Sequence, residues 1–287
     1  MSSTKHPLPD GIADSVAQAL GEDIGSGDVT ARLVAAETQG RARVISREPA
    51  VICGRAWVDE VFRQIDAGIT IEWHVEDGEQ VAPDQRLFTL QGPARALLTG
   101  ERSALNFLQT LSGTATSVRR YVDAVDGTGC KIVDTRKTLP GLRRAQKYAV
   151  LCGGGYNHRI GLYDGILIKE NHVAAAGGIQ AAIAQARALD AGVPLMAEAE
   201  TLEEAQIAIA ENVDLLLVDD FDLDMLREAV QRVRAHRSRG GVTLLEYSGG
   251  ATLESVRGYA ETGIDRIAVG ALTKHVRAVD LSMRFED

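Results

Sequence analysis

From residue 130 onward the chain alternates short apolar runs with helical stretches, and this rhythm constrains the fold more than any other feature. Several of the runs are almost continuously apolar, as strands buried on both faces of a parallel sheet are. Six runs are typical of strands: KIVDT (131–135), GILIK (165–169), VPLMAE (193–198), VDLLLVD (213–219), VTLLEYS (242–248) and RIAVG (266–270). Helical segments follow the second to the fifth run, at 178–190, 201–212, 222–236 and 252–263. A strand spacing of about 20–30 residues is typical of βα units and predicts a complete or open (β/α) barrel, with a doubly wound open sheet as the alternative.

The N-terminal part has a different rhythm. Three segments between residues 40 and 92 are typical of strands with turns between them: RARVISRE, AGITIEWHVEDGEQV and RLFTLQG. No long helix separates these segments, so we expect an antiparallel sheet. Helical spacing of leucines then predicts one helix over 94–113, and SVRRYVDAV predicts another over 117–125.

The charge of the chain is unevenly distributed. It has 31 Lys+Arg against 40 Asp+Glu, a net charge of −9. The segment 131–169 holds eight Lys or Arg and two acids, a net charge of +6, which leaves −15 for the rest of the chain. An acidic chain does not have the basic footprint of a general nucleic-acid or membrane-surface binder. A basic segment inside it indicates a small anionic ligand instead.

Cysteine usage and the apolar runs bound the class of protein further. Cys53, Cys130 and Cys152 are odd in number, widely spaced and form no Cys-x-x-Cys pair. We therefore expect neither a disulfide framework nor a cysteine-based zinc site. The start, MSSTKHPLPDG, lacks the apolar core of a secretory signal, and no apolar run approaches the roughly 20 residues of a membrane span. We expect a cytoplasmic protein.

Polar groups follow each predicted strand of the second half. In a parallel βα barrel all these strand ends emerge on one face, where active sites are built. Charge is costly to bury after an apolar strand unless it is paired or used, so several such ends together predict a composite site. The groups are Arg136 and Lys137, Lys169, Glu198, Asp219, Glu246 with Ser248, Gly249 and Gly250, and Gly270.

The predicted site has a cationic half and an anionic half. Arg136, Lys137 and Lys169, with His158 and Arg159 from the loop GGGYNHRIG, suit a ligand with several negative charges. The acids of the other half could hold a divalent cation, bind sugar hydroxyls or stabilise developing positive charge, or they could simply pair with the arginines. Small residues after the last two strands are typical of a phosphate cradle.

These motifs closely resemble the quinolinate phosphoribosyltransferase family. The resemblance spans most of residues 95–275 and rests on GERSALNFLQTLSGTAT, AEAET, LLLVDDF, LEYSGG, RIAVGALT and, above all, DTRKTLPGLRRAQKYAVLCGGGYNHRIGLYDGILIKENH. It implies an α/β fold in two domains. An N-terminal α/β sandwich of residues 1–113 would be joined by the C-terminal tail 275–287, and residues 114–274 would form an open, seven-stranded α/β barrel of the TIM-like type. It also implies a homodimer in which Arg102 reaches the active site of the neighbouring subunit.

The reaction implied by the resemblance converts quinolinate and 5-phosphoribosyl 1-diphosphate to nicotinate mononucleotide, pyrophosphate and carbon dioxide, a step of NAD biosynthesis. The resemblance assigns quinolinate binding to Arg102, Arg136, His158, Arg159 and Lys169, and the diphosphate side to Lys137. Catalysis would rest on Lys137, Glu198 and Asp219, and the two acids would hold the ribose hydroxyls. The cofactor Mg²⁺ would be held mainly by the substrate near these acids, and phosphate would lie against Ser248, Gly249, Gly250 and Gly270. The order Thr273-Lys274-His275 leaves open which of Lys274 and His275 nears phosphate.

Parts of the sequence also fit three other functions. Lys169 at a barrel strand end is the right kind of position for a Schiff-base aldolase, although its cationic neighbours are many for a simple carbonyl substrate. VDDFD resembles the acidic start of the diphosphate loop in ordinary sugar-phosphate transferases with a doubly wound sheet, but LDMLRE follows in place of Thr and Gly. A non-catalytic binding protein would not need so many matched charges.

Overall fold

The computed structural model describes residues 6–286 and divides into two compact units. The first unit contains the chain up to Arg119, the segment Thr138–Gly154 and the chain from Leu272 onward, and the second contains Arg120–Lys137 and Gly155–Ala271. Residues 1–5, which begin the stretch considered as a secretory signal, and Asp287, the end of the predicted tail, lie outside the described residues.

The first unit is built on an antiparallel sheet, as predicted. Its strands are β1 (Gln39–Ser46), β3 (Thr70–Trp73), β5 (Arg86–Pro93) and β12 (Leu281–Glu286), in the order β12-β1-β5-β3. Two short strands, β2 (Ala50–Val51) and β4 (Gln80–Val81), form a second antiparallel pair. Two helices, α1 (Ile12–Ile24) and α2 (Arg55–Ile65), and a 3₁₀ turn at Ala31–Leu33 complete its N-terminal part. The predicted tail does return to this unit, since β12 pairs with β1.

One long helix, α3 (Ala94–Ala124), replaces the two helices predicted over 94–113 and 117–125. Gly113 ends the first predicted segment, and glycine is a poor helix former. A Cβ added to Gly113 would lie 2.2 Å from the carbonyl oxygen of Arg277. Gly113 is therefore explained by close backbone approach within the first unit, and the helix continues through it.

The segment 138–154 belongs to the first unit, whereas the predicted division placed it in the second domain. Its helix α4 (Arg143–Cys152) buries Ala145, Tyr148 and Ala149 in the hydrophobic cluster of the first unit. That cluster also contains Trp57, whose ring centroid lies 5.8 Å from that of Tyr148. The compact units therefore differ from the predicted domains in this segment. The predicted domains, one of residues 1–113 with 275–287 and one of residues 114–274, stay a prediction.

Two of the three cysteines meet in the first unit, which their spacing in the sequence did not indicate. One ligand atom from each of Cys53, Asp77 and Cys152 lies within 4.8 Å of the other two. Both thiols are free and buried. The carboxylate of Asp77 is already engaged, because Oδ1 accepts the Gly54 N–H at 2.9 Å and Oδ2 accepts the Tyr148 hydroxyl at 2.8 Å. Burial, with Cys152 and Asp77 nearby, raises the pKa of the Cys53 thiol well above its usual range, so this cysteine stays neutral.

The second unit is a parallel sheet of six strands, and all six apolar runs form strands as predicted. They are β6 (Lys131–Val133), β7 (Ile166–Ile168), β8 (Leu195–Ala199), β9 (Leu215–Asp219), β10 (Leu244–Ser248) and β11 (Arg266–Ala268), in the order β6-β11-β10-β9-β8-β7. Consecutive strands β6 and β7 therefore lie at opposite edges, an order that suits an open barrel. Tyr156 makes an isolated parallel bridge with Val133, the only trace among the described residues of the implied seventh strand. Closure into a barrel stays a prediction.

The predicted helices are present between these strands. They are α6 (Ile179–Ala188), α7 (Leu202–Ala210), α8 (Leu223–Arg237) and α9 (Val256–Ala260), with two further helices, α5 (Glu170–Ala176) and α10 (Ala271–Lys274). Helix α9 is shorter than the predicted 252–263. Thr252 and Ser255 close a turn ahead of it, in which each backbone N–H donates to the side-chain hydroxyl of the other residue. Such local hydrogen bonds compete with helix formation. Within residues 6–286 no helix has the length and apolarity to cross a membrane.

Candidate active site

The register of the parallel strands brings charged residues from separate strands into one row. Glu198 of β8 and Glu246 of β10 both pair with Leu217 of β9, and Glu246 pairs on its other side with Arg266 of β11. Paired residues of neighbouring strands point to the same face of a sheet. Lys169 follows β7 directly, one position beyond the pair of Ile168 with Ala197. The sheet therefore presents its acids and a lysine at a single level.

A cavity of about 160 Å³ opens in the second unit at this level. Residues in or directly after all six parallel strands line it. Those that the sequence predicted are Arg136, Lys137, His158, Arg159, Lys169, Glu198 and Ser248, and Glu246 lines it as well. Asp219, Gly249, Gly250 and Gly270 are not among the lining residues, although each follows or ends a strand that contributes to it. The charges that are distant in sequence do converge, as the site hypothesis required.

Two arginines of the cavity, Arg136 and Arg159, lie close together although their positive charges repel each other. Arg159 donates from Nη1 to the carbonyl oxygen of Gly165 at 3.1 Å. Burial lowers the pKa of the Arg159 guanidinium, and the nearby Arg136 lowers it further, while Asp164 opposes the shift. Two guanidinium groups kept close together form a site for an anion with more than one negative charge, because that anion offsets their repulsion.

The anionic side contains Glu198 and Asp219. The Lys169 ammonium donates to Oε2 of the buried Glu198 at 2.6 Å, so this pair connects the two halves of the site. Burial raises the pKa of the half-buried Asp219, Glu198 and Asp220 raise it further, and Lys169 opposes them. Asp220 has a φ of 52°, a left-handed conformation that is uncommon for a non-glycine residue and recurs at functional sites. This cluster of acids would gain from a cation or from sugar hydroxyls placed against it.

Glycines allow the close contacts beyond β10 and β11. A Cβ on Gly249 would lie 2.4 Å from the Tyr247 hydroxyl, which donates to the Gly249 carbonyl at 3.1 Å. Gly250 has a φ of 69°. A Cβ on Gly270 would lie 3.2 Å from Cδ of Lys137, so the small residue leaves room for that lysine. These positions therefore need small residues for local reasons, whether or not they also contact phosphate.

His158 lies in the cavity wall with both ring nitrogens directed at protein groups. Its backbone N–H donates to Oδ1 of the buried Asp134 at 2.8 Å. Nδ1 accepts the backbone N–H of Arg159 at 2.7 Å, so the ring proton is assigned to Nε2, which lies 3.5 Å from Oε1 of Glu246. The His158 side chain is only 8% exposed. The ring therefore forms part of the cavity wall, and contact of His158 with a substrate carboxylate stays a prediction.

Glu246 is the cavity residue to which sequence reasoning gave no role. Its side chain is fully buried and is held by Arg266, whose Nε donates to Oε2 at 2.5 Å. Oε1 is buried without a hydrogen-bond partner among the described residues. Burial raises the pKa of Glu246 to about 7, with Arg266 opposing the shift and Asp134 adding to it. The one signal in the sequence was an acid inside the apolar run LLEYS, where burial is costly without a partner or a task.

Three predicted residues lie in the first unit. Arg102 is exposed on α3, and Lys274 and His275 are both exposed at and after the end of α10. Their roles toward a neighbouring subunit or a phosphate stay predictions. Arg144 of the basic segment is also exposed and lies 3.8 Å from Asp10, a solvated pair of the ordinary kind.

Comparisons with known proteins agree with this arrangement. The model of the quinolinate phosphoribosyl transferase C-terminal domain matches residues 114–284, and the N-terminal domain model matches residues 28–112. The nicotinate-nucleotide pyrophosphorylase (carboxylating) of Mycobacterium leprae is 45% identical over 280 residues, which cover 96% of this chain and 97% of that protein. A probable enzyme of the same name from Bacillus subtilis is 41% identical over 91% of this chain and 89% of its own.

The fold agrees as closely as the sequence. The solved nicotinate-nucleotide pyrophosphorylase of Francisella tularensis superposes with a TM-score of 0.92 at 42% identity, covering 100% of both chains. A structure from Streptococcus pyogenes gives a TM-score of 0.93 at 34% identity over 99% of this chain and 100% of that one. Both domain models, these relatives and these structures show that the chain belongs to the quinolinate phosphoribosyltransferase family.

Proposed function

We propose that this chain transfers the phosphoribosyl group of 5-phosphoribosyl 1-diphosphate to quinolinate with decarboxylation, giving nicotinate mononucleotide, pyrophosphate and carbon dioxide in de novo NAD biosynthesis. The observation that carries the proposal is the cavity of the second unit, in which several cations and Glu198 line one space, with Asp219 at the end of the neighbouring strand. Quinolinate carries two carboxylates on neighbouring ring atoms. A cavity with several cations on one side matches that charge, and acids on the other side match a ribose that becomes positive in the transition state.

Binding of quinolinate is assigned to Arg136, Arg159 and Lys169. A guanidinium presents a planar fork that matches a carboxylate with two parallel hydrogen bonds, and Lys169 supplies a point charge. Lys169 is 44% exposed at its side chain, so its ammonium can serve a ligand while it holds Glu198. His158, which lines the same cavity, is assigned to the quinolinate carboxylates as well.

Glu198 and Asp219 are assigned to the ribose. Displacement of diphosphate at the anomeric carbon passes through an oxocarbenium-like state, as in glycoside cleavage. Carboxylates beneath the ring stabilise that positive charge in a site with little water. The pyridine nitrogen is the nucleophile, so no side chain needs to attack.

The same acids fit a magnesium ion that arrives with the substrate. Carboxylate oxygens are the donors that Mg²⁺ prefers, and the raised pKa of Asp219 among Glu198 and Asp220 marks a site where a cation would offset negative charge. When bound, the ion neutralises charge on the departing diphosphate. Lys137 and the small residues Ser248, Gly249, Gly250 and Gly270 are assigned to the diphosphate and phosphate groups.

A homodimer and a cytoplasmic location complete the proposal. In the dimer, the exposed Arg102 of one subunit would add a further cation to the quinolinate pocket of its partner. Arg102 is exposed on α3, so its guanidinium is accessible to another subunit.

The decisive experiment supplies purified protein with quinolinate, 5-phosphoribosyl 1-diphosphate and Mg²⁺ and measures nicotinate mononucleotide and carbon dioxide. We expect the two products in equal amounts. Neither product should form when either substrate is left out. Failure to form the mononucleotide would contradict the proposal. The rival aldolase requires a Lys169 amine that is free to attack a carbonyl carbon, whereas Nζ of this side chain donates to Oε2 of Glu198 at 2.6 Å. Covalent trapping of a carbonyl substrate on Lys169 with borohydride would support the rival.

A further inference from the structure

The proposed reaction requires a proton that the substrates do not bring to the reacting carbon. When the 2-carboxylate leaves as carbon dioxide, the electron pair of the broken bond stays on C2 of the pyridine ring, next to the positively charged ring nitrogen. C2 of the mononucleotide carries a hydrogen, so a new C2–H bond must form. The proton must come from a group that reaches the cavity and can release it near neutral pH.

Most cavity groups are unsuited to that task. Arginine does not lose its proton in proteins, which excludes Arg136 and Arg159. Nζ of Lys169 already donates to Oε2 of Glu198 at 2.6 Å, so the lysine is engaged with that carboxylate. His158 carries its ring proton on Nε2, toward Glu246, because Nδ1 accepts a backbone N–H.

The two carboxyl oxygens of Glu246 have contacts that suit a general acid. Of its two oxygens, Oε2 is bound by Arg266 at 2.5 Å, whereas Oε1 is buried, has no hydrogen-bond partner among the described residues and lies 3.5 Å from His158 Nε2. The residue also lines the cavity, in the same row as Leu217 and Glu198. Oε1 can therefore carry a proton at the cavity wall, beside His158.

The charges around Glu246 come from every neighbouring element. Arg266 faces it from β11, Asp134 and His158 lie on the stretch after β6, Cys130 precedes β6, and Glu198 lies in the same row on β8. Burial, reinforced by Asp134 and opposed by Arg266, brings the pKa of Glu246 to about 7, so near neutral pH the protonated form is well populated. A dianionic substrate entering the cavity raises that pKa further, because it adds negative charge nearby.

We propose that Glu246 is the general acid that protonates C2 of the pyridine ring when the 2-carboxylate leaves. In this step the bond between C2 and the carboxylate carbon breaks, carbon dioxide departs, and the electron pair on C2 takes the proton from Oε1. Glu246 is left as a carboxylate, which Arg266 and His158 stabilise. Solvent returns the proton once the product has left. The inference rests on the proposed function and assigns to Glu246 a role in the decarboxylation that follows phosphoribosyl transfer.

The test is the variant Glu246→Gln, which keeps the shape of the side chain and an acceptor for Arg266 but cannot transfer a proton. We expect kcat to fall about 10²- to 10⁴-fold, the usual contribution of a positioned general acid. In the wild type, kcat should fall with rising pH at a point above 7 as Glu246 loses its proton, because bound substrate raises the pKa of this carboxyl above its value of about 7. The variant should lose that alkaline limb, which a merely structural defect would not remove.

Single-turnover measurements separate the two halves of the reaction. We expect Glu246→Gln to release pyrophosphate at a rate close to that of the wild type while nicotinate mononucleotide appears slowly. Glu246→Asp should recover part of the rate, since it restores a carboxylic acid. The matched control is Glu261→Gln, which removes an exposed acid paired with Arg257 at 2.8 Å and should leave both rates unchanged.

A second variant keeps the inference testable if the first does not fold. Arg266→Gln removes the cation that lowers the pKa of Glu246, so the alkaline limb of kcat should move to higher pH. An unchanged kcat and an unchanged limb in Glu246→Gln, or an unmoved limb in Arg266→Gln, would overturn the inference. These outcomes leave the proposed function intact, whereas a wild-type protein that makes no mononucleotide would sink that function itself.

Discussion

Two buried acids of one cavity have opposite surroundings. Glu198 accepts a hydrogen bond from Nζ of Lys169 at 2.6 Å, so a basic side chain already lies against it. Glu246 accepts a hydrogen bond from Arg266 at Oε2, and its Oε1 has no hydrogen-bond partner among the described residues. Burial is the largest cause of its raised pKa. The first is thus suited to stabilise positive charge on a ribose, and the second to hold a proton.

At the same scale, we expect Arg136→Ala to weaken the transition state for quinolinate strongly. Loss of one partner of a hydrogen-bonded charge pair costs about 2–4 kcal/mol, which is roughly 30- to 1,000-fold in kcat/KM. The measurement is steady-state kinetics with quinolinate varied. Arg144→Ala is the control, because Arg144 is exposed and only pairs loosely with Asp10. Wild-type kcat/KM in Arg136→Ala would show that this residue is not a quinolinate ligand.

Among the elements, helix α3 shows how a tertiary contact can explain a glycine in the middle of a helix. Its 31 residues include Gly113, which local propensity treats as a probable stop. The backbone of Arg277 passes so close that no side chain fits there. Packing therefore sets the residue type, while the hydrogen bonds of the helix continue past it.

We expect Gly113→Ala to destabilise the protein, although alanine is the better helix former. The added Cβ would lie 2.2 Å from the Arg277 carbonyl oxygen, and overpacking of this kind costs about 1–3 kcal/mol. Gly21→Ala in α1 is the matched control, since a Cβ there meets nothing within 4 Å. It should raise stability by about 0.4–1 kcal/mol. Thermal unfolding of both variants measures the difference, and a Gly113→Ala protein as stable as the wild type would refute the packing argument.

For the whole molecule, the question is whether one chain contains a complete site. The cavity residues Arg136, Lys169, Glu198 and Glu246 all belong to the second unit. Arg102 belongs to the first unit and is exposed. A site that needs Arg102 from a second copy would make activity depend on assembly.

Mixing of subunits tests this dependence. We expect Arg102→Ala and Lys169→Ala subunits, each poorly active alone, to regain activity as a mixed dimer, because one of its two sites has both groups. The control is the double variant Arg102→Ala/Lys169→Ala mixed with wild type, in which each site of the mixed dimer lacks one group. Activity assays on heterodimers isolated by differing affinity tags make the comparison. Equal activity of the two mixtures would argue against a shared site.

Local sequence information predicted the elements of the second unit and the residue types at its strand ends. Apolar runs of strand length bounded by helical segments are a local pattern, and each of the six runs became a strand of the parallel sheet. A polar residue that ends an apolar run is likewise visible without the fold. That Arg136, Lys169 and Glu198 would line one cavity followed from the rule that parallel strands end at one edge.

Only the tertiary structure decided features that depend on contacts distant in the chain. The sequence shows Glu246 as an acid in an apolar run, but its nearly neutral pKa comes from burial and from Arg266 and Asp134, which reach it from other strands. The helix α4 joined the first unit because its apolar face found a core there. Hydrophobic period and turn chemistry act over a few residues, whereas burial and electrostatics depend on every group that folding brings near, and so the chemistry of Glu246 could not be read from its neighbours in sequence.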